Sequence, residues 1–416
     1  MLPNGPTAFD KMLLRKVREI TRDAPIRWVF GDGDGVLPFQ KESVDTVFIA
    51  DRQTLCDLAL NPEVGFGDGY AGGTLRVSGD LIRLLESLFY ATAASSDVSW
   101  YSRLWSHWQD LRQRNTLKGS QRHIHHHYDL TSEFYKIWLD TRMVYTCAYF
   151  PSPSTTLEDA QLAKMDHVCR KIQLQPGEKV IEAGCGWGSL AIHMARNYGV
   201  SVRAFNISRE QVEYARVRAK AEGLADLVEF IEDDYRNISG ECDAFVSVGM
   251  LEHVGAENYK GLGAVIHRAT GKSGRGLLHF IGRAKARPFS RWIRKRIFPG
   301  AYAPALSEAM EVLEPYSFAV LDVENLRFHY AKTLEHWLSR YEQSVSRVAE
   351  MFDEEFVRAW RLYLAGSLTA FRVGSLQLFQ VAFAGSEYRR IPWTRDHLYR
   401  ESKSPKEEPR WIHAMS

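Results

Sequence analysis

A carboxylate, Glu182, stands just before glycines at alternate positions, Gly184, Gly186 and Gly188, in the stretch Val180 to Ala195, VIEAGCGWGSLAIHMA. An apolar strand end precedes them and a helical pattern follows. Such a turn lays backbone amides against a ligand, where any Cβ would stand in the way. The chemistry on offer is a nucleotide-type cradle, although a lone G-x-G-x-G string also marks an ordinary tight turn. A ligand of the NAD type wants an acid roughly 20 residues past the glycines. The second strand ends instead in Asn206-Ile207-Ser208, with no acid before Glu210. Glu182 suits an ammonium group, and Glu232-Asp233-Asp234, closing the third strand, suits an adenine amine. Both features fit S-adenosylmethionine better than NAD.

Other groupings invite chemistry and fail on spacing. Gly31-Asp32-Gly33-Asp34-Gly35 opens like a calcium loop, but Ser43 stands where the bidentate Glu is needed, so a solvated turn is expected. His123, His125, His126 and His127 are dense, yet no helix turns three consecutive side chains to one face, and no metal is expected. The five cysteines, Cys56, Cys147, Cys169, Cys185 and Cys242, form no C-x-x-C pair and read as reduced thiols. A nucleophilic Cys147 would need a partner base and an oxyanion site. Cys185 reads as steric filler within the glycine loop.

The elements that must position these residues are legible as periods. Phe9, Met12, Leu13, Val17 and Ile20 predict an opening amphipathic helix, followed by strands at 26–30 and 46–50. Asp51 and Asp80 read as N-caps, and Gly65 to Gly79 as a glycine-rich loop. These make a small α+β unit over residues 1–97. Residues 98–126 read as a linker in which Trp100, Leu104, Trp105, Trp108 and Leu111 form an aromatic helical stripe. From 127 to 400 the pattern alternates. Thr155-x-x-Glu158 reads as a capping box, strands fall near 178–184, 200–205, 226–231, 243–248 and 275–281, and later ones at 317–324 and 375–384 complete seven. Alternation of this kind predicts an α/β, doubly wound, mainly parallel sheet with its ligand at the carboxyl ends of the strands. Residues 401–416 form a polar tail.

Several motifs in order carry a family resemblance: Tyr145-Thr146-Cys147-Ala148-Tyr149-Phe150, the loop from Glu182 to Gly188, Ser247-Val248-Gly249-Met250-Leu251-Glu252-His253-Val254-Gly255, and Leu277-Leu278-His279-Phe280-Ile281-Gly282. Together they resemble the cyclopropane-fatty-acyl-phospholipid synthases and the related mycolic acid cyclopropane synthases. The resemblance implies a seven-stranded S-adenosylmethionine-dependent methyltransferase fold and transfer of a methylene group to the cis double bond of an unsaturated phospholipid acyl chain. It implies that Tyr145 and Thr146 touch S-adenosylmethionine with Glu182, Gly184 and Gly186, that Asn206, Ile207 and Gln211 lie on the ribose side, and that Asp234 and Tyr235 lie on the adenine side. It further implies a bicarbonate ion held by Cys147, Glu252, His279 and Tyr330, with a backbone contact from Ile281. Asn206 and Phe280 depart from the family pattern, and Phe280 is expected to reshape the acyl pocket.

The chemistry asks for such a group. An alkene is a feeble nucleophile, so the methyl donor must be held close and in line in a dry site. Attack leaves a carbocation, and a base must take a proton from the new methyl before the ring closes. Glu252 is expected to orient the anion, and a protonated His279 to balance its charge. A relative ending in a methyl-branched or methylene product, and a non-catalytic lipid-binding protein, are the alternatives.

Composition sets bounds on partners. The 416 residues are 45% hydrophobic and 25% charged with net charge +2, which gives no global pull on nucleic acid. The start MLPNGPTAFDKML lacks a signal-like apolar core, and no run of about 18 apolar residues occurs. Arg283 to Phe298, RAKARPFSRWIRKRIF, interleaves cations with Phe289, Trp292, Ile293, Ile297 and Phe298 and holds no acid. Each cation near anionic lipid is worth about 1 kcal/mol, and the apolar residues could reach the headgroups. A cytoplasmic protein docked at the inner membrane surface is expected, with a homodimer left open and no nucleic acid partner; a solvated helix is the plain alternative.

Overall fold

The computed structural model describes residues 6–21, 24–31, 45–94 and 130–399. The aromatic stripe of 98–126, the histidine run, most of the Gly31–Gly35 loop and the tail 401–416 lie outside the described residues. In the front unit, helix α1 (Ala8–Ile20) is capped by Thr7 and buries Leu13, Leu14 and Val17. Strands β1 (Ile26–Phe30), β2 (Asp45–Ile49) and β3 (Leu75–Ser78) form one sheet, β1 parallel and β3 antiparallel to β2. Asp51 caps α2 (Arg52–Leu60) by accepting from the Thr54 amide, and Asp80 accepts from the amides of Ile82 and Arg83 at the start of α4 (Leu81–Ala94).

The span expected as a glycine-rich loop is instead helix α3 (Pro62–Gly72), then β3. Pro62 suits the first helical turn, where its missing N–H is no loss, and Gly73 ends the helix at φ +79°. The glycines serve contact: a Cβ on Gly65 would lie 2.5 Å from the Leu58 amide, and one on Gly67 only 2.2 Å from Trp292. Close approach outweighs their low helix propensity. Gly67→Leu should therefore destabilise the protein by about 1–2 kcal/mol, because overpacking by about 1–3 kcal/mol exceeds a propensity gain of about 1 kcal/mol. Urea denaturation with tryptophan fluorescence checks this; an unchanged or raised midpoint would reject the contact as decisive.

The main sheet contains β4 (Lys179–Ala183), β5 (Ser201–Asn206), β6 (Val228–Glu232), β7 (Ala244–Val248), β8 (Arg275–Gly282), β9 (Ala319–Asn325) and β10 (Gln377–Ala384) in the order β9-β10-β8-β7-β4-β5-β6. Five neighbouring strands pair in parallel, while β10 runs antiparallel to β8 and β9 antiparallel to β10. Every residue of β7 is buried, as helices on both faces of a parallel sheet require. The seven strands stand where alternation placed them. The helices include α5 (Leu157–Lys171), α6 (Ser189–Tyr198), α7 (Arg209–Ala221), the short α8 (Leu251–Val254), α9 (Tyr259–Thr270), α10 (Arg291–Arg296), α11 (Arg327–Gln343) and α12 (Glu354–Arg372). Thr156, not Thr155, caps α5, with Asp159 as its partner. Helix α12 was absent from the sequence reading, and it carries much of the contact to the front unit. Among the described residues no helix is long and apolar enough to cross a membrane.

One hydrophobic core runs through both units, joining Leu13, Leu55 and Leu84 to Trp138, Trp337 and Trp360. The basic segment helps close that joint. Trp292 is 4% exposed and donates to Asp68 at 3.1 Å, Arg296 meets the same carboxylate with two contacts of 2.9 Å, and the Arg291 amide donates to Glu63 at 2.7 Å. Part of the segment expected to face lipid thus packs on α3.

Candidate active site

The carboxyl ends of β4, β5, β6 and β7 open onto a cavity of about 730 Å³. Between β4 and α6 the chain turns through Gly184, Gly186 and Gly188, all with positive φ. At Gly188, φ is +81° and a Cβ would lie 2.5 Å from the Phe230 ring, so only glycine lets α6 start against the sheet. At Gly186, φ is +54° and a Cβ would point into open space, leaving the backbone bare toward the cavity. Asn206 ends β5, donating to Gln211 at 2.7 Å and to the Gly186 carbonyl at 3.3 Å. Asp234 follows β6 and pairs with Arg236 at 3.0 Å.

Tyr145 and Thr146 reach the cavity from a loop tied on several sides. Gln161 Nε2 donates to the Thr146 carbonyl at 2.9 Å, Thr333 Oγ1 accepts from the Ala148 amide at 3.0 Å, and the hydroxyls of Tyr145 and Tyr363 are 2.7 Å apart. Every residue expected to hold S-adenosylmethionine, namely Tyr145, Thr146, Glu182, Gly184, Gly186, Asn206, Ile207, Gln211, Asp234 and Tyr235, lines this one cavity. Trp187, Phe298, Phe356 and Trp360 supply an apolar wall.

Glu182 is 2% exposed, and its Oε2 has no partner among the described residues. Burial raises its pKa to about 7, with Lys164 and the Ala191 amide opposing the rise. A buried carboxyl with a bare oxygen facing a cavity fits a cationic ligand group. The sign of its pH effect follows. Folded Glu182 keeps its proton up to about pH 7, whereas in the unfolded chain it ionises near the ordinary value, so rising pH through this window favours unfolding. Relative to the ligand-free wild type, Glu182→Gln should gain about 2 kcal/mol of stability between pH 5 and pH 8. Parallel denaturation series would expose a constant offset, which contradicts this.

Cys147, Glu252, His279, Ile281 and Tyr330 do not line the cavity. All but the partly buried Ile281 are buried, Cys147 one residue from Thr146 and Glu252 within α8, next to the lining residue His253. Tyr330, in the first turn of α11, has Cys147 and Glu252 among its electrostatic neighbours. Glu252 Oε1 accepts from the Ile281 amide at 2.5 Å, two residues along β8 from His279, while Oε2 is bare. The Ile281 N–H is thus taken by Glu252, where a direct contact to an ion was expected. Burial raises Glu252 to about 7 and holds the Cys147 thiol far above its ordinary value, so Cys147 is no thiolate nucleophile.

His279 differs from expectation. Burial, with Lys164 and Lys171 nearby, pushes it well below its usual value, so it is neutral where a protonated ring was expected. Gln380 Nε2 donates to its Nδ1 at 3.0 Å, which places the ring proton on the unpartnered Nε2. Phe280, expected to reshape an acyl pocket, points to the opposite face of β8 and packs on Phe379 with ring centres 5.8 Å apart. Successive strand residues face opposite ways, so a neighbour of His279 cannot share its side.

Sequence reasoning missed Lys164 and the front-unit residues Asp68 and Ala71, which line the cavity, and Thr333 and Gln380, which hydrogen-bond Ala148 and His279. For Lys164 a signal existed. Gln161, Lys164, His167 and Lys171 form a polar stripe at helical spacing along α5, and all are buried. Polar residues on a buried helix face need partners and so mark a site.

Residues 115–381 match the profile of the family described as mycolic acid cyclopropane synthetase. The chain is 36% identical over 375 residues to a probable fatty acid methyltransferase of Pseudomonas putida, covering 85% of this chain and 91% of that one. It is 40% identical over 259 residues to the cyclopropane-fatty-acyl-phospholipid synthase of Escherichia coli K12, covering 62% of this chain and 66% of that one. Among solved structures it resembles the mycolic acid cyclopropane synthase CmaA1 complexed with SAH and CTAB, at a TM-score of 0.60 and 28% identity over 63% of this chain and 97% of that one.

Proposed function

The chain belongs to the mycolic acid cyclopropane synthetase family of S-adenosylmethionine-dependent methyltransferases, and from that premise we propose that it converts the cis double bond of an unsaturated phospholipid acyl chain into a cyclopropane ring. The observation that carries this reading is a cofactor-sized cavity with Cys147 and Glu252 buried next to its lining residues Thr146 and His253, and with Tyr330 as their electrostatic neighbour.

S-adenosylmethionine, when bound, supplies an electrophilic methyl group. Glu182 and the glycine turn would hold its amino-acid end, Asn206 and Gln211 its ribose, and Asp234 and Tyr235 its adenine. Trp187, Phe356 and Trp360 exclude water from the alkene. The bare Glu252 Oε2 and the bare Nε2–H of His279 are a buried acceptor and a buried donor left unmet, the two kinds of group that a small oxyanion such as bicarbonate would need. Bound there, that ion supplies a base for the methyl proton. Neutral His279 would donate a hydrogen bond to it and contribute no formal charge.

Mass spectrometry after incubating the purified protein with S-adenosylmethionine and dioleoyl phospholipid vesicles tests the proposal. A gain of one CH2 that resists ozonolysis is expected. Product that ozonolysis still cleaves would favour a methylene or other unsaturated outcome, and no S-adenosylhomocysteine release would favour a lipid-binding protein. The similarity to a probable fatty acid methyltransferase over most of the chain keeps the methyl-branched product as a second reading.

Peripheral docking is part of the proposal. With Trp292 and Arg296 engaged by Asp68, the exposed cations Lys285 and Arg287 are the residues of the basic segment proposed to meet anionic lipid. Flotation with anionic vesicles should fall in a Lys285→Glu, Arg287→Glu double variant; equal recovery with neutral and anionic vesicles would remove electrostatic docking.

A further inference from the structure

Lys164 is 1% exposed, lines the cavity, and appears in none of the roles above. Its Nζ donates to Thr146 Oγ1 at 3.0 Å. An ammonium has three N–H donors, and no second acceptor among the described residues takes one within hydrogen-bond distance. Glu182 and Asp140 are electrostatic neighbours, but neither closes an ion pair with it. Burial lowers its pKa to about 8, with Cys147, Asp140 and Glu182 opposing, so the charge persists at neutral pH. A buried cation with idle donors is costly unless an anion completes it. Glu182 lines the same cavity and presents the converse, a buried carboxyl with a bare oxygen. The cavity therefore offers a cation and an acid to whatever occupies it.

We propose that Lys164 and Thr146 form the carboxylate-binding half of a zwitterion clamp, with Glu182 as the ammonium-binding half, so that the cavity recognises the free amino-acid end of its ligand. This rests on the S-adenosylmethionine reading above. A cation and an acid lining one cavity complement both ends of an α-amino acid and fix its direction. The hydrogen bond to Thr146 anchors the Lys164 ammonium before the ligand arrives, which limits the entropy lost on binding. Rejection of analogues lacking either group follows, because a missing partner leaves a buried charge uncompensated.

Calorimetric titration with S-adenosylhomocysteine and with its decarboxylated analogue tests the clamp without turnover. Wild type should prefer the intact ligand by about thirtyfold, the size of a charged hydrogen bond. Lys164→Met should abolish the preference: the intact ligand weakens by about thirtyfold and the decarboxylated one shifts less than about twofold. Lys164→Arg should restore part of it. If Lys164→Met does not fold, judged by its melting curve, Thr146→Val gives the same readout with a partial loss of preference. Equal weakening of both ligands, or no change in either, overturns the clamp while leaving the cofactor assignment intact. Failure of wild type to bind S-adenosylhomocysteine overturns that assignment and the clamp with it.

Discussion

Glu252→Gln is expected to lower product formation by about a thousandfold while leaving S-adenosylhomocysteine affinity within about twofold, an effect typical of a lost acid–base group. The substitution preserves shape and one carbonyl oxygen, which can still accept from the Ile281 amide as Glu252 Oε1 does at 2.5 Å. What changes is the second position, now bare and buried, where an amide would present donors in place of an acceptor. An oxyanion's protonated oxygen would lose its acceptor there. Because Glu252 does not line the cofactor cavity, binding should survive. Since burial already raises this carboxyl to about 7, the neutral amide should also fold at least as well as wild type. Single-turnover measurements with labelled S-adenosylmethionine, paired with calorimetry, separate the two quantities. Parallel losses in rate and affinity would show a cavity defect, and an unchanged rate would remove Glu252 from the proposed chemistry.

Gly188→Val should cost about 3–5 kcal/mol of stability and abolish cofactor binding. The positive φ of +81° strains any side chain, worth about 1–3 kcal/mol. A Cβ there would also lie 2.5 Å from Phe230 and 2.8 Å from Ala215, and overpacking of a core adds about 1–3 kcal/mol. Relief could come only by moving α6 off the sheet, which would carry Gly184 and Gly186 away from Asn206. For a chain of this size the loss corresponds to roughly 4–6 °C in melting temperature. Calorimetric melting with and without S-adenosylhomocysteine checks both parts. A variant that melts like wild type, or is still stabilised by ligand, would show that the turn tolerates a side chain.

The cofactor half of the site was legible because its residues sit at fixed offsets from strand ends. Once β4, β5 and β6 are placed, a parallel sheet must bring Glu182, Asn206 and Asp234 to one edge, whatever the packing elsewhere. Glycine-rich spans were less legible: the same composition makes a turn at Gly184–Gly188 and a helix at Pro62–Gly72, depending on what approaches. The protonation of His279 was less legible for a related reason. Its state depends on the desolvation around β8 and on the donor from Gln380, whose register opposite His279 is a property of the assembled sheet.

By itself, the sequence determined the strands along the chain, the carboxyl-edge site and the lining residues that stand at or next to strand ends, since hydrophobic period and turn chemistry act over a few residues. Tertiary structure alone decided that Lys164 and Glu182 face one cavity with unmet charge, that Phe280 turns away from the site, and that Trp292 locks into α3. Those outcomes depend on which groups are deprived of water together, and water exclusion is a property of packed surfaces far apart in the chain.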